Sequence, residues 1–256
     1  MPLTTADLTA TGRFVHVEHC MGTVFTIDIR DAGDWADAIA NVVGWLHHVD
    51  RVFSTYKADS DISRLQRREL RLADADPDLA DVLDLCTQVE SATGGHFSAL
   101  RCGQIDPTGL VKGWAIEAAS QRLREYCSAN HAVNGGGDIQ LAGQAAPDRL
   151  WTVGISDPHD RGRIMTTITG RDFAVATSGT AERGAHIADS FTGRPVTHLA
   201  SATVTGPSLT WVDAYATGAF AMGLDAMAWI NTIPAHAVLL VDTDGRQHAS
   251  TAWPRG

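Results

Sequence analysis

The chain has 256 residues, 44% of them hydrophobic, and a formal net charge of −10 at pH 7, which allows one large domain or two small ones with a sizeable core. The acidic balance excludes the clustered Lys and Arg surface that nucleic acid or anionic lipid requires, and the absence of any run of about 18 apolar residues excludes membrane insertion. Cys20, Cys86, Cys102 and Cys127 lack the paired short spacing of zinc sites, and a chain this long does not need disulfide staples. They read as ordinary thiols in a reducing compartment, and the N-terminal residues lack the basic and apolar regions of a leader, so the expected location is cytoplasmic.

Residues 1–12 read as a flexible arm ahead of a single domain over 13–256. FVHVEHCMGTVFTIDIR shows two alternating runs interrupted at Met21-Gly22, which predicts two strand segments with a bend. DWADAIANVVGWLHHVD then places Trp35, Ala38, Ile39, Val42, Val43, Leu46 and Val49 on one helical stripe, with Asp34 as the N-cap. DADPDLADVLDLCTQVESATGG predicts a second helix: Asp76 caps it, Pro77 opens it and Gly94-Gly95 ends it. A third follows at GLVKGWAIEAASQRLREYC. From Ala132 onward short strand candidates dominate (HAVN, IQLAG, LWTVGIS, IMTTITG, FAVATSG, SATVTG), interrupted by a helical WVDAYATGAFAMGLDAMAWI. The chain closes with HAVLLVD, a Thr243-Asp244-Gly245 turn and QHAST. Strands that mostly neighbour strands, with helices in separate blocks, indicate an α+β fold on antiparallel sheet.

Several stretches carry residue types suited to chemistry. DPTGLVKGWAIE sets Gly109 and Gly113 on either side of Lys112 at a helix start, where backbone can approach a ligand and unpaired N–H groups can meet phosphate; a tight turn capping the helix explains the stretch equally well. VNGGGDIQLAG runs a strand into Gly135, Gly136, Gly137 and Asp138, which fits close passage of a ligand or a bulge or hairpin. It lacks the GxGxxG dinucleotide fingerprint. In WVDAYATGAF, Asp213 and Thr217 are four apart and share a helix face, an arrangement that suits a hard cation such as Mg²⁺ or simply a capping Asp and a core Thr. VATSGTAERGAHIADSFTGRPV surrounds His186 with Thr177, Ser178 and Thr192, and histidine is the side chain suited to proton transfer near neutrality. Met21 and Tyr56 lie beside turn-like stretches, where a thioether and an aromatic face could hold a flat ligand or pack in the core.

Taken in order, HCMGTVFTI, FSTYKADSDISRL, TGGHF, DPTGLVKGWAIEAASQRL, VNGGGDI, ATSGTAERGAHIADSFTGRPV and VDAYATGAFAMG resemble the FAD:protein FMN transferase family, the ApbE-like proteins. The resemblance implies a T-fold-like domain of antiparallel sheets flanked by helices. It also implies binding of FAD as substrate with Mg²⁺, and transfer of FMN to a Ser or Thr hydroxyl of an acceptor flavoprotein with release of AMP. Carried over by position, Met21 and Tyr56 would flank the isoalloxazine ring and Glu117 would contact the adenosine end. Lys112, Gly113, the Gly135–Asp138 turn and Thr177-Ser178 would line the nucleotide path. The metal would sit on Asp213, Thr217 and the Gly109 carbonyl, His186 would assist the transfer, and Thr192 would lie in the adjoining turn.

Two segments depart from the family pattern. His96-Phe97 runs into Ser98-Ala99-Leu100 where the family commonly has aspartate and often proline, and Asp189-Ser190-Phe191-Thr192-Gly193 lacks the proline of DPxTG. The implied metal ligands and His186 are retained, so an active enzyme is the expectation. An FAD pyrophosphatase releasing FMN and AMP, and a non-catalytic FAD-binding protein, are the alternatives.

Overall fold

The computed structural model describes residues 12–101, 103–160, 162–179 and 196–254. Residues 1–11 of the expected arm, Cys102, and the segment bearing His186 and Thr192 lie outside the described residues. The alternating N-terminal runs form β1 (Phe14–Cys20) and β2 (Thr23–Ile29), paired antiparallel from Phe14↔Ile29 to Cys20↔Thr23. Between them Met21 and Gly22 both have positive φ, 53° and 68°, the two-residue type I′ geometry whose twist matches the flanking strands. The expected bend is therefore a closed hairpin.

Helix α1 (Ala36–Phe53) buries Ala38, Ile39, Val42, Leu46 and Val49, as the stripe predicts. Its cap position is Trp35 rather than Asp34; Asp34 stands one residue earlier, where its Oδ1 accepts the Ala36 amide at 3.1 Å. A short α2 (Asp61–Gln66) follows, then α3 (Pro77–Ala92), capped by Asp76, which accepts from the Asp78 amide. After the two-residue strands β3 (Leu100–Arg101) and β4 (Gln104–Ile105) comes α4 (Thr108–Glu125). The predicted strands appear as β5 (His131–Gly135), β6 (Asp138–Ala142), β7 (Trp151–Ser156), β8 (Ile164–Gly170), β9 (Ala174–Gly179) and β10 (Leu199–Gly206). The long helical stretch that follows is divided. It gives α5 (Leu209–Met222), a 3-10 turn at Gly223–Asp225 and α6 (Ala226–Ile230). The break falls at Gly223, whose φ of 69° no regular helix accommodates. The strands β11 (Ala237–Asp242) and β12 (Gln247–Ala249) complete the chain.

Eight strands form one sheet in the order β1-β2-β5-β6-β9-β10-β11-β12, every neighbouring pair antiparallel, and β7 with β8 forms a separate two-stranded ribbon. Side chains alternate across the central strands. Ala174, Ala176, Ala202, Val204, Val238 and Leu240 join the core under the helices, whereas Val175, Ala237 and Leu239 pack with Ile155, Ile168 and Trp253 on the ribbon side. Burial on both faces explains why SATVTG and HAVLLVD read as nearly continuous buried strands. Among the described residues no helix is long and apolar enough to cross a membrane.

Where α4 meets the sheet, His131 is fully buried between two hydroxyls, Ser120 Oγ at 2.8 Å and Ser128 Oγ at 2.9 Å. Desolvation, reinforced by Arg124, pushes its pKa down to about 4. The folded state therefore holds a neutral imidazole that the unfolded chain protonates below pH ~6.5. This contribution to stability is complete above that pH and is lost as pH falls towards 4. Between pH 7.5 and pH 5 it should amount to about 2 kcal/mol. Urea denaturation across this range should show that slope in the wild type and a shallower one in His131→Gln.

Candidate functional site at the α4–α5 crossing

The site is built on two helices that approach unusually closely. The first turn of α4 is fixed by Asp106, whose Oδ1 accepts from the Thr108 amide at 3.1 Å and the Thr108 hydroxyl at 2.6 Å. From there Gly109, Gly113 and Glu117 recur every fourth residue, so they share one face. That face lies on α5. A Cβ at Gly113 would stand 2.5 Å from the Leu209 carbonyl oxygen and 2.7 Å from Asp213 Cβ; one at Gly109 would stand 3.2 Å from the Phe97 ring and 3.4 Å from Thr217 Oγ1. Only glycine at position 113 permits this approach. Phe97, from the TGGHF stretch, is buried against Gly109, and its amide is held by Thr93 Oγ1 at 3.1 Å.

The closeness has a chemical result. Asp213 Oδ2 accepts the Gly113 N–H at 2.9 Å, the donor that a regular helix directs at the carbonyl four residues earlier, that of Gly109. Asp213 is 5% exposed and Asp138 2% exposed. Burial, the largest influence, raises the Asp213 carboxyl well above the usual carboxylate range, and the Asp138 carboxyl beside it raises it further; Lys112 and the Gly113 N–H pull the other way. Lys112 Nζ lies 2.5 Å from Asp138 Oδ2, and the Thr177 amide donates to Asp138 Oδ1 at 3.0 Å. Among these described groups, two buried carboxylates thus face one ammonium.

Hydroxyls complete the cluster. Thr217 Oγ1 is 3.2 Å from Ser178 Oγ, and Thr177 Oγ1 is 2.9 Å from Thr203 Oγ1. Ser178 and Gly179 end β9 and lead directly into the segment carrying His186 and Thr192, which lies outside the described residues.

The glycine turn and the flavin-side candidates meet at the same end of the sheet. Gly136 and Gly137, with φ of 62° and 98°, turn β5 into β6, and the Gly136 amide donates to the Val24 carbonyl at 3.3 Å. Gly135 leaves no room for a side chain beside the Phe25 ring, 2.7 Å from where its Cβ would stand. Met21 sits on the neighbouring hairpin turn, partly buried against the core. The Tyr56 loop adjoins it: Lys57 Nζ reaches Asp50 at 2.5 Å, and both charges act on the Cys20 thiol next to Met21. Tyr56 itself is 92% exposed, an aromatic face open to a partner.

A cavity of about 320 Å³ opens between the glycine turn and β9, lined by Asn134, Gly137, Asp138 and Thr177, and on its far wall by Ile155 and Ser156 of β7. That wall was missed in the sequence, where LWTVGIS carries no signal beyond its strand pattern. A second cavity, about 340 Å³ and mainly apolar, lies by Phe173, Pro207 and His236 at the other end of β9 and β10. It contains none of the candidate residues. Of the two buried carboxylates, Asp138 lines the first cavity. Glu117, expected at the adenosine end, has its Oε2 occupied by three donors of the α5 start: Ser208 Oγ at 2.6 Å, Thr210 N at 2.9 Å and Thr210 Oγ1 at 2.6 Å. A separate group of His48, Asp76 and Asp78 could also hold an ion, but Arg51 already lies 2.9 Å from His48 and 3.6 Å from Asp76, so it reads as a charge-balanced cap of α3.

Comparison with known proteins bears on the family and the fold. Residues 21–100 and 98–240 match the model of the ApbE family. The FAD:protein FMN transferase of Vibrio cholerae is 30% identical over 162 residues, covering 58% of this chain and 48% of that protein. The one from Rhodobacter capsulatus is 27% identical over 226 residues, covering 84% and 40%. The chain spans about half the length of the curated relatives it matches. Among solved structures, the flavin transferase ApbE of Vibrio cholerae superposes with a TM-score of 0.81 at 21% identity, over 96% of this chain and 98% of that one. The Thermotoga maritima ApbE protein gives 0.84 at 20% identity, over 93% and 97%. These likenesses show a shared α+β fold. With that family model matched over most of its length, the chain belongs to the ApbE family.

Proposed function

We propose that the protein is an FAD:protein FMN transferase that binds FAD with Mg²⁺, passes FMN to a Ser or Thr hydroxyl of an acceptor flavoprotein and releases AMP. The observation that carries this reading is the α4–α5 crossing, which sets the Asp213 carboxylate on the Gly113 N–H and the Thr217 hydroxyl beside Gly109, one turn away on the same helix face. This all-oxygen donor set, with two buried carboxylates and one lysine, fits a hard divalent cation. Asp213, Thr217 and the Gly109 carbonyl would hold it. Bound Mg²⁺ supplies charge neutralisation on the pyrophosphate that an acidic chain otherwise lacks.

The chain's own groups supply binding and orientation. Lys112, Gly113, the Gly135–Asp138 turn, Thr177 and Ser178 would line the nucleotide path, and the exposed Tyr56 ring with the Met21 thioether would hold the flat flavin. In the reaction the acceptor oxygen bonds to the FMN-side phosphorus, the bond to the bridging oxygen breaks and AMP leaves with it. The hydroxyl proton passes to His186, the candidate base. Free Cys20, Cys86 and Cys127 thiols fit a reducing, cytoplasmic setting.

Incubation with FAD, Mg²⁺ and flavoproteins bearing a candidate Thr should give a fluorescent covalent band on a denaturing gel and one AMP per flavin transferred. AMP released without any acceptor would mark a pyrophosphatase instead. FAD bound without AMP formation would mark a binding protein.

A further inference from the structure

The candidate site depends on two helices being held in one register, and the structure shows what holds them at the end away from the glycines. Gly109, Gly113 and Glu117 of α4 are matched by Thr217, Asp213 and the Ser208–Thr210 start of α5, running in the opposite sense. The glycines set how closely the helices approach. They do not fix how far α5 slides along its axis, because a glycine offers no side chain to lock. Glu117 does. One carboxylate oxygen accepts the Ser208 hydroxyl, the Thr210 hydroxyl and the Thr210 amide, all within 2.9 Å. The first turn of a helix has amide donors without intrahelical partners, and a carboxylate there is favoured by both hydrogen bonding and the helix dipole.

We propose that Glu117 is a positioning residue for the cation site: by capping α5 from α4 it fixes the axial place of Asp213 and Thr217 against Gly109. This rests on the reading of those three residues as the cation site. It differs from a direct contact with the adenosine of FAD, which would leave the cation site indifferent to Glu117. Gln140 supports the same helix start from β6, accepting the Leu209 amide at 2.9 Å, so loss of Glu117 should displace α5 rather than unfold it.

Two readings on the intact protein test this: Mn²⁺ binding without FAD, followed by the electron-paramagnetic signal of the free ion, and steady-state kinetics of transfer. Glu117→Ala should weaken Mn²⁺ binding about fivefold or more, the size expected for loss of a helix cap, and lower kcat more than it raises the KM for FAD. Glu117→Gln, which keeps an acceptor for the Thr210 amide, should recover part of the affinity. Thr210→Val removes a donor from the opposite side without altering Glu117 and should reproduce part of the loss, which also covers an Ala variant that does not fold. Unchanged Mn²⁺ affinity in the Glu117 and Thr210 variants, or a raised KM for FAD as the sole effect, would overturn the proposal while leaving the cation site standing. A wild-type protein that binds no Mn²⁺ would overturn the cation site itself, and the proposal with it.

Discussion

Replacing Asp213 by asparagine should lower flavin transfer by about 10³-fold, the consequence of losing several kcal/mol of charge stabilisation at the reacting phosphates, and should do so without destabilising the cation-free protein. The second half follows from the direction of its titration. Burial and the neighbouring Asp138 carboxyl raise the folded-state pKa of Asp213 above that of the unfolded chain, so the fold favours its protonated form. That contribution is present at low pH and is lost as pH rises through the folded-state value. At pH 8 the wild type therefore holds an ionised, buried carboxylate against its preference. Asparagine removes that penalty and still offers an oxygen to the Gly113 N–H. Melting curves at pH 8 in EDTA should show Asp213→Asn at least as stable as wild type, whereas added Mg²⁺ should raise the melting temperature of the wild type alone. A variant that melts well below wild type in EDTA would mean that Asp213 is a structural ion-pair partner rather than a ligand held in reserve.

A large effect on stability is expected at Gly113. A methyl group there would meet the Leu209 carbonyl oxygen at 2.5 Å and Asp213 Cβ at 2.7 Å. One of these is backbone, which cannot rotate away, so Gly113→Ala must part the helices. Overpacking of a tight contact costs about 1–3 kcal/mol, and the upper part of that range is expected because the site joins two long elements of the core. Activity should fall with it, since the displaced atom belongs to Asp213. Gly44 provides the control. It lies exposed on α1 with nothing within 4 Å of the added methyl, so Gly44→Ala should stabilise by about 0.5–1 kcal/mol through helix propensity alone. Denaturant midpoints of the two variants should move in opposite directions.

Local patterns were legible in the sequence wherever one element decided the outcome. The Asp76-Pro77 start of α3, the apolar stripe of α1 and the strand runs after Ala132 are all present where periodicity and capping chemistry put them. Two local features were overlooked. Helix α2 begins at Ser60, whose side chain accepts the Ser63 amide at 3.2 Å, a capping signal that STYKADSDISRL does display. The long helical stretch breaks at Gly223 with a φ of 69°, and His198 fills the space where a side chain would stand, a contact that no local pattern reports.

The site shows the same division. Glycines and hydroxyls marked which stretches had chemical potential, but not how they meet. The Lys112–Asp138 ion pair joins α4 to β6, the Ser178–Thr217 contact joins β9 to α5, and the Glu117 cap joins α4 to α5 across 91 positions. Such contacts depend on sheet order, with β9 beside β6 and both ribbon strands set apart. For the same reason the β7 wall of the cavity carried no advance sign: the alternation of WTVGIS marks a half-buried strand but not what lies against it.

The central claim is that the α4–α5 crossing gathers an oxygen-lined cation site against the phosphates of FAD. Anomalous diffraction from crystals soaked with Mn²⁺ and FAD tests it most directly. The account predicts a single strong peak within bonding distance of the Asp213 carboxylate, the Thr217 hydroxyl and the Gly109 carbonyl, with a pyrophosphate oxygen in the same coordination shell. A peak confined to His48, Asp76 and Asp78, or FAD seated in the apolar cavity beside His236 with no ion at Asp213, would contradict it.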